Sequence, residues 1–147
     1  MFKHILVPTD GSPFSRDAVC RAVTLAKENG AKVLALFVKL PAPAHYWSHV
    51  IWVNLPEPSA FEEFAEKEAQ EALDFVEAQC RDAGIECNKL SVTNEHVYQA
   101  IIDEATKNNC DLVFMASHGR RGVDALVLGS ETHKVLTHSK IPVLVYR

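Results

Sequence analysis

The chain has 147 residues, 48% apolar and 23% charged, with a formal net charge of -4. That length suits one domain, residues 1–147, and a chain of this size buries roughly 68–70% of its unfolded surface. The acidic balance argues against a general nucleic-acid binder, no run is long and apolar enough to cross a membrane, and Cys20, Cys80, Cys87 and Cys110 lack metal-ligand spacing.

Three of the cysteines sit in apolar patterns and read as buried free thiols. The opening "MFKHILVPTDGS" has one lysine and an apolar run that stops at Pro8, which is not a secretory signal. A cytoplasmic protein is the expectation.

Residues 4–7, "HILV", predict a buried strand closed by the turn residues "PTDGS". Ser12 can cap the next helix, with Pro13 at its first position. Ala18, Ala22, Leu25 and Ala26 share one face of that helix, and Gly30 ends it. "KVLALFV", from Lys32 to Val38, predicts a second strand. "KLPAPAHYWSHVIWVNLPEPSA" then has four prolines and no dominant period, which predicts a long loop with a helical turn near His45. A long helix follows from Ser59, with a buried stripe of Ala65, Ala69, Ala72, Leu73, Val76 and Cys80 and a stop at Gly84. "IECNKLSV" predicts a third strand, and Val97, Ala100, Ile101 and Ala105 mark a third helix. "DLVFMA", a helix from Ser130 to His138 and "IPVLVY" complete the chain.

The order is β-α-β-α-β-α-β-α-β. Such alternation implies a parallel sheet with helices on both faces. Ligands in open α/β sheets bind in the crevice where the winding reverses. The loops that would open it are "PTDGS" after the first strand and "ASHGRRG" after the fourth. Gly119, Gly122 and Gly129 allow close backbone approach, and Arg120 and Arg121 add charge. Ser130 reads as the cap of the last helix, leaving the amides of Ser130, Glu131 and Thr132 to face an anion. The bland alternative is a turn glycine, a helix cap and a solvated arginine pair. Neither the P-loop GxxxxGK[ST] nor the GxGxxG fingerprint is present.

From "ILVPTDGS" through "VFMASHGRRG" and "LGSET" to "IPVLVYR", the chain resembles the single-domain universal stress proteins of bacteria. The resemblance covers essentially the whole sequence. It implies a five-stranded parallel open sheet in order 3-2-1-4-5, the fold of the adenine nucleotide alpha hydrolases, and a homodimer. The ATP-binding branch of that family carries glycine, two residues, glycine, nine residues, then glycine followed by serine or threonine. Gly119, Gly129 and Ser130 fill the later positions, and Ala116 stands at the first, a departure of one methyl group. The resemblance places Pro8, Thr9 and Asp10 at the adenine and ribose, and Val38 against the base. It places Met115 and Ala116 beside the ribose, and Gly119, Arg120, Gly129, Ser130, Glu131 and Thr132 around the phosphates. His118 lies in the same loop, where it would either touch a phosphate or be tied to local backbone. Glu131 is the misfit, since a carboxylate there repels a triphosphate unless it points away or helps hold a divalent metal.

The expected ligand is ATP, with magnesium, or else AMP or ADP. Nucleotide occupancy would bias the loops at 39–58 and 116–128, and an unidentified protein partner would read the result. No catalytic residue is assigned. A slow ATPase and a non-nucleotide interaction protein are the rival readings. His45 and His49 share a helical spacing but have no third ligand. The terminal strand, residues 142–146, is expected to pair with its own copy in a two-fold dimer. Neither nucleic acid nor membrane is an expected partner.

Overall fold

The computed structural model describes residues 1–42, 58–119 and 127–147. Most of the predicted loop lies outside these, with His45 and His49, and so do Arg120 and Arg121. The elements are β1 (His4–Pro8), α1 (Pro13–Asn29), β2 (Lys32–Lys39), α2 (Pro58–Ala83) and β3 (Cys87–Thr93), followed by α3 (Val97–Lys107), β4 (Leu112–Ala116), α4 (Ser130–His138) and β5 (Val143–Tyr146). All strand pairs are parallel, in the order β3-β2-β1-β4-β5.

Strand periodicity divides the core in two. Ile5 and Val7 of β1, with Val33, Ala35 and Phe37 of β2, face α1 and α2. Leu6, Leu34 and Leu36, with Val113 and Met115 of β4, face Ile101 and Ala105 of α3 and Val135 of α4. Successive strand residues point to opposite faces, so a sheet covered on both sides needs an unbroken apolar run. "HILV" and "DLVFMA" supply it.

Local signals set the helix ends. Ser12 Oγ accepts from Ser15 N at 3.3 Å and Pro13 opens α1. Gly30 closes it at φ 62°, a left-handed conformation that glycine adopts without steric cost. The α2 stripe is buried at Ala69, Ala72, Leu73, Val76 and Cys80, while Ala65 is half-buried near the start. Cys80 and Cys110 are buried as expected, but Cys87 is half-buried and Cys20 exposed, its Sγ 3.7 Å from Gln79 Oε1 of α2.

At the N-terminal edge of the sheet, the Asp111 carboxylate accepts from Lys3 N at 2.8 Å and His4 N at 3.1 Å, clamping β1 to β4. His4 Nδ1 lies 3.0 Å from Asn108 O, which can only accept, so the proton sits on Nδ1. His4 Nε2 is buried without a hydrogen-bond partner. The opposite edge is where the winding reverses. From β1 the chain runs outward through β2 and β3, then returns to place β4 on the other flank of β1.

Candidate functional site

Six polar side chains are buried among the described residues: Thr9, Ser12, Ser15, Ser117, His118 and Thr132. All six lie at the C-terminal ends of β1 and β4 or in the helix starts that follow them. Buried polar groups cost free energy unless hydrogen-bonded, so their concentration at one edge marks a built feature.

On the β1 side, Thr9 N donates to Leu36 O at 2.9 Å. Thr9 Oγ1 accepts from Gly11 N at 3.2 Å and from Ser15 Oγ at 2.9 Å. Asp10 Oδ1 accepts from Ser12 N at 2.9 Å, an Asx turn, and Gly11 takes φ 78°. Pro8 is half-buried at the strand end, and Val38 is half-buried near the end of β2, packed on the α3 side.

On the β4 side, Met115 is buried and Ala116 half-buried. Thr132 Oγ1 donates to Ala116 O at 3.0 Å and Gly129 N to Ser117 O at 2.8 Å, so the start of α4 is laced to the end of β4. His118 bridges the same loop. Its Nε2 is hydrogen-bonded to Val127 O and its Nδ1 lies 2.8 Å from Ser117 Oγ. Nε2–H donates to the carbonyl, so Nδ1 accepts from the serine hydroxyl. The imidazole thus holds together the two described ends of the loop. This is the local backbone tie, and Phe14 packs against the ring at 6.2 Å between centroids.

The two sides meet at glycine. A Cβ on Gly119 would stand 2.7 Å from Asp10 Oδ2, so only glycine lets the loops approach this closely. A Cβ on Gly129 would stand 2.9 Å from Ser117 O, a backbone atom. Both glycines therefore have a packing reason of their own.

Two expectations change. Gly129, not Ser130, is the N-cap of α4, and Ser130 is its first helical residue. The physical reason is that the Gly129 carbonyl accepts the first helical bond, from His133 N at 2.9 Å. The amides of Ser130, Glu131 and Thr132 then form the unpaired first turn. Glu131 is turned aside: its Oε2 accepts from Tyr98 N at 2.9 Å and its Oε1 lies 3.4 Å from Lys134 Nζ. The carboxylate thus caps the N-terminus of α3, where His96 makes no side-chain cap. Arg120 lies outside the described residues.

The structure therefore brings Pro8, Thr9, Asp10, Met115, Ala116, His118, Gly119, Gly129, Ser130 and Thr132 to one sheet edge, with Val38 on the adjoining strand. Sequence reading missed Ser15, although its place three residues after the Ser12 cap was a usable signal. It also missed Tyr98 as the partner of Glu131, a contact across 33 positions that no local pattern encodes. Two open concavities lie elsewhere. One of about 360 Å³ is lined by Asp17, Cys20, Arg21, Thr24 and Tyr146, and one of about 270 Å³ lies between the C-terminal ends of α1 and α2. None of the six buried polar side chains lines either, so the crevice is the better candidate despite their size.

The chain matches the universal stress protein family over residues 1–147. It belongs to that family. A universal stress protein of Methanocaldococcus jannaschii is 31% identical over the whole chain and 83% of its own length. The universal stress protein YxiE of Bacillus subtilis is 31% identical with both chains fully covered. Two solved members of the family share the fold. One, in complex with cAMP, has a TM-score of 0.74 at 21% identity, covering 99% of this chain and 97% of its own. The other, from Archaeoglobus fulgidus in complex with dAMP, has a TM-score of 0.71 at 18% identity, covering 99% and 98%.

Proposed function

We propose that the chain binds an adenine nucleotide, ATP foremost, in the crevice between β1 and β4, and acts as a cytoplasmic stress-response regulator. The observation that carries this reading is the gathering of every buried polar side chain of the described residues at that one edge. These side chains bond to one another and to backbone, so they shape the crevice and leave main-chain amides to meet the ligand. The first turn of α4 offers three such amides at the positive end of the helix dipole, a setting suited to phosphate. Asp10 stands across from them at Gly119, placed for a sugar hydroxyl or an adenine amine. The complexes of other family members with cAMP and dAMP support the adenine class.

Magnesium enters as the counter-ion of ATP rather than as a resident metal. The Glu131 carboxylate is engaged by Tyr98 N of α3.

The test begins with protein purified without added nucleotide, denatured, and its released small molecules identified. Adenine nucleotide at near one per chain is the expected result. An empty protein is then titrated with ATP and magnesium, AMP, ADP and cAMP while its melting is followed. A ligand at about a hundred times its Kd stabilises the folded state by about 2.7 kcal/mol. Melting unchanged by millimolar nucleotide would sink the proposal. It would favour the reading as an interaction protein, which the packing reasons for Gly119 and Gly129 support. Phosphate release, with Asp10→Ala as control, tests slow hydrolysis.

A further inference from the structure

Ser117 and His118 follow β4 directly and are two of the six buried polar side chains, with 6% and 9% exposure. A serine hydroxyl is a weak nucleophile until a base takes its proton, and the base acts best when a third group orients it. Ser117 Oγ lies 2.8 Å from His118 Nδ1. On the far side of the ring, His118 Nε2 is bonded to the Val127 carbonyl, which can only accept. The proton therefore sits on Nε2, and the lone pair of Nδ1 faces the hydroxyl. Phe14 packs against the ring at 6.2 Å between centroids. Nucleophile, base and orienting acceptor thus form one chain of hydrogen bonds.

The start of α4 rests on the same serine. The Ser117 carbonyl accepts from Gly129 N at 2.8 Å and from Thr132 Oγ1 at 3.4 Å. The first-turn amides of Ser130, Glu131 and Thr132 have no partner within the helix, and the positive end of its dipole favours a developing negative charge. Glu131, the acidic side chain of that turn, does not oppose this, since its carboxylate is engaged by Tyr98 N. A serine, an imidazole held in the accepting tautomer and main-chain donors beside them are the groups that acyl transfer requires.

We propose that Ser117 is the nucleophile of an acyl-transfer site, with His118 as its base, and that the substrate class is activated esters of short carboxylic acids. His118 Nδ1 takes the hydroxyl proton as Ser117 Oγ attacks the carbonyl carbon. The carbonyl π bond opens, and its oxygen carries the negative charge beside the first turn of α4. The bond from carbon to the leaving oxygen then breaks, the carbonyl re-forms, and Nδ1 returns the proton to the departing alcohol. The products are an acyl ester on Ser117 and a free alcohol, with nothing oxidised or reduced. Water repeats the sequence on that ester and releases the acid. The low exposure of both side chains restricts the acyl group to a small one. This inference does not rest on nucleotide binding.

The full-length protein is mixed with p-nitrophenyl acetate, without nucleotide, and the release of p-nitrophenol is followed alongside intact mass and peptide mapping. The expected result is a burst approaching one equivalent per chain and an acetyl group on Ser117. The hexanoate ester should react at least about tenfold more slowly, because the site is enclosed. His118→Gln can still donate to the Val127 carbonyl but takes up no proton, and it should slow the burst at least about a hundredfold with its melting followed as a check on folding. Ser117→Ala should lose the burst. Ser117→Cys keeps a nucleophile in place and should carry the acetyl group at residue 117 as a thioester, which tests the site even where the alanine variant folds poorly. Acetyl groups confined to lysines or cysteines with Ser117 unmodified in the parent protein, or a folded His118→Gln chain that reacts at the parent's rate, would overturn the proposal.

Discussion

Gly119 and Gly129 are both crowded, but by neighbours of different kinds. The Cβ of a Gly129→Ala chain would press on the Ser117 carbonyl, fixed backbone that also accepts from residue 129. That substitution should cost about 1–3 kcal/mol in urea unfolding, the usual range for overpacking. At Gly119 the neighbour is a side-chain atom rather than backbone, the Asp10 Oδ2, whose companion oxygen accepts from Ser12 N. Gly119→Ala should therefore cost less stability and, in the proposed site, weaken nucleotide binding by displacing that carboxylate. Equal losses of stability in the two variants would contradict this distinction. Glu131 invites a third substitution. Because its carboxylate caps α3, Glu131→Ala should lower stability by about 1 kcal/mol, as for other lost caps. It should not tighten ATP binding, with or without chelator, and Glu131→Gln should retain most of the stability. A clear gain of ATP affinity in Glu131→Ala would show that the carboxylate repels phosphate after all.

At the scale of elements, periodicity and caps were legible because they are local. The strand faces follow from alternation alone, and the ends of α1 from Ser12, Pro13 and Gly30. The last helix runs from Ser130 to His138 as the pattern predicts, but Gly129 rather than Ser130 is its cap. Serine is a common cap, and only the bond from His133 N to Gly129 O decides between neighbours. The sheet order and most crevice positions came through resemblance to a family, which local chemistry could not have supplied. The hydroxyl lattice of Thr9 and Ser15 and the reach of Glu131 to Tyr98 depend on tertiary placement and were illegible. The start of β1 adds a pH prediction. Burial, then the Lys32 ammonium, hold the His4 imidazole below its ordinary 6.5. The unfolded chain therefore takes up a proton at a higher pH than the folded one. The stabilising contribution is complete above about 6.5 and is lost as pH falls through that value toward the folded one. The drop in Tm between about pH 7.5 and about pH 5.5 should be smaller in His4→Asn than in the parent. An equal drop would assign the acid sensitivity to other groups.

For the whole molecule, β3 and β5 are the two outermost strands of the sheet. Leu144 of β5 is 36% exposed, and Pro142 O and Tyr146 O both face β4, accepting from Val113 N and Ser117 N. Alternation then turns the backbone groups of Val143 and Val145 outward, free to pair with a second copy. In the homodimer that the sequence leads one to expect, a charge at that edge is poorly tolerated. Leu144→Glu should shift the mass measured by light scattering at micromolar concentration from dimer to monomer. A parent that is itself monomeric would overturn that expectation.

The central place of β1 has a further cost during synthesis. Its pairing partner β4 begins 108 residues after β1 does, at Leu112 against His4. At roughly 5–20 residues per second, the ribosome needs about 5–20 s to supply that partner. Throughout that time Ile5, Leu6 and Val7, which end with no solvent exposure at all, have one flank open. A nascent chain of this design depends on α1 and β2 to shelter its first strand until the far side of the sheet arrives, and it should recruit chaperones until then.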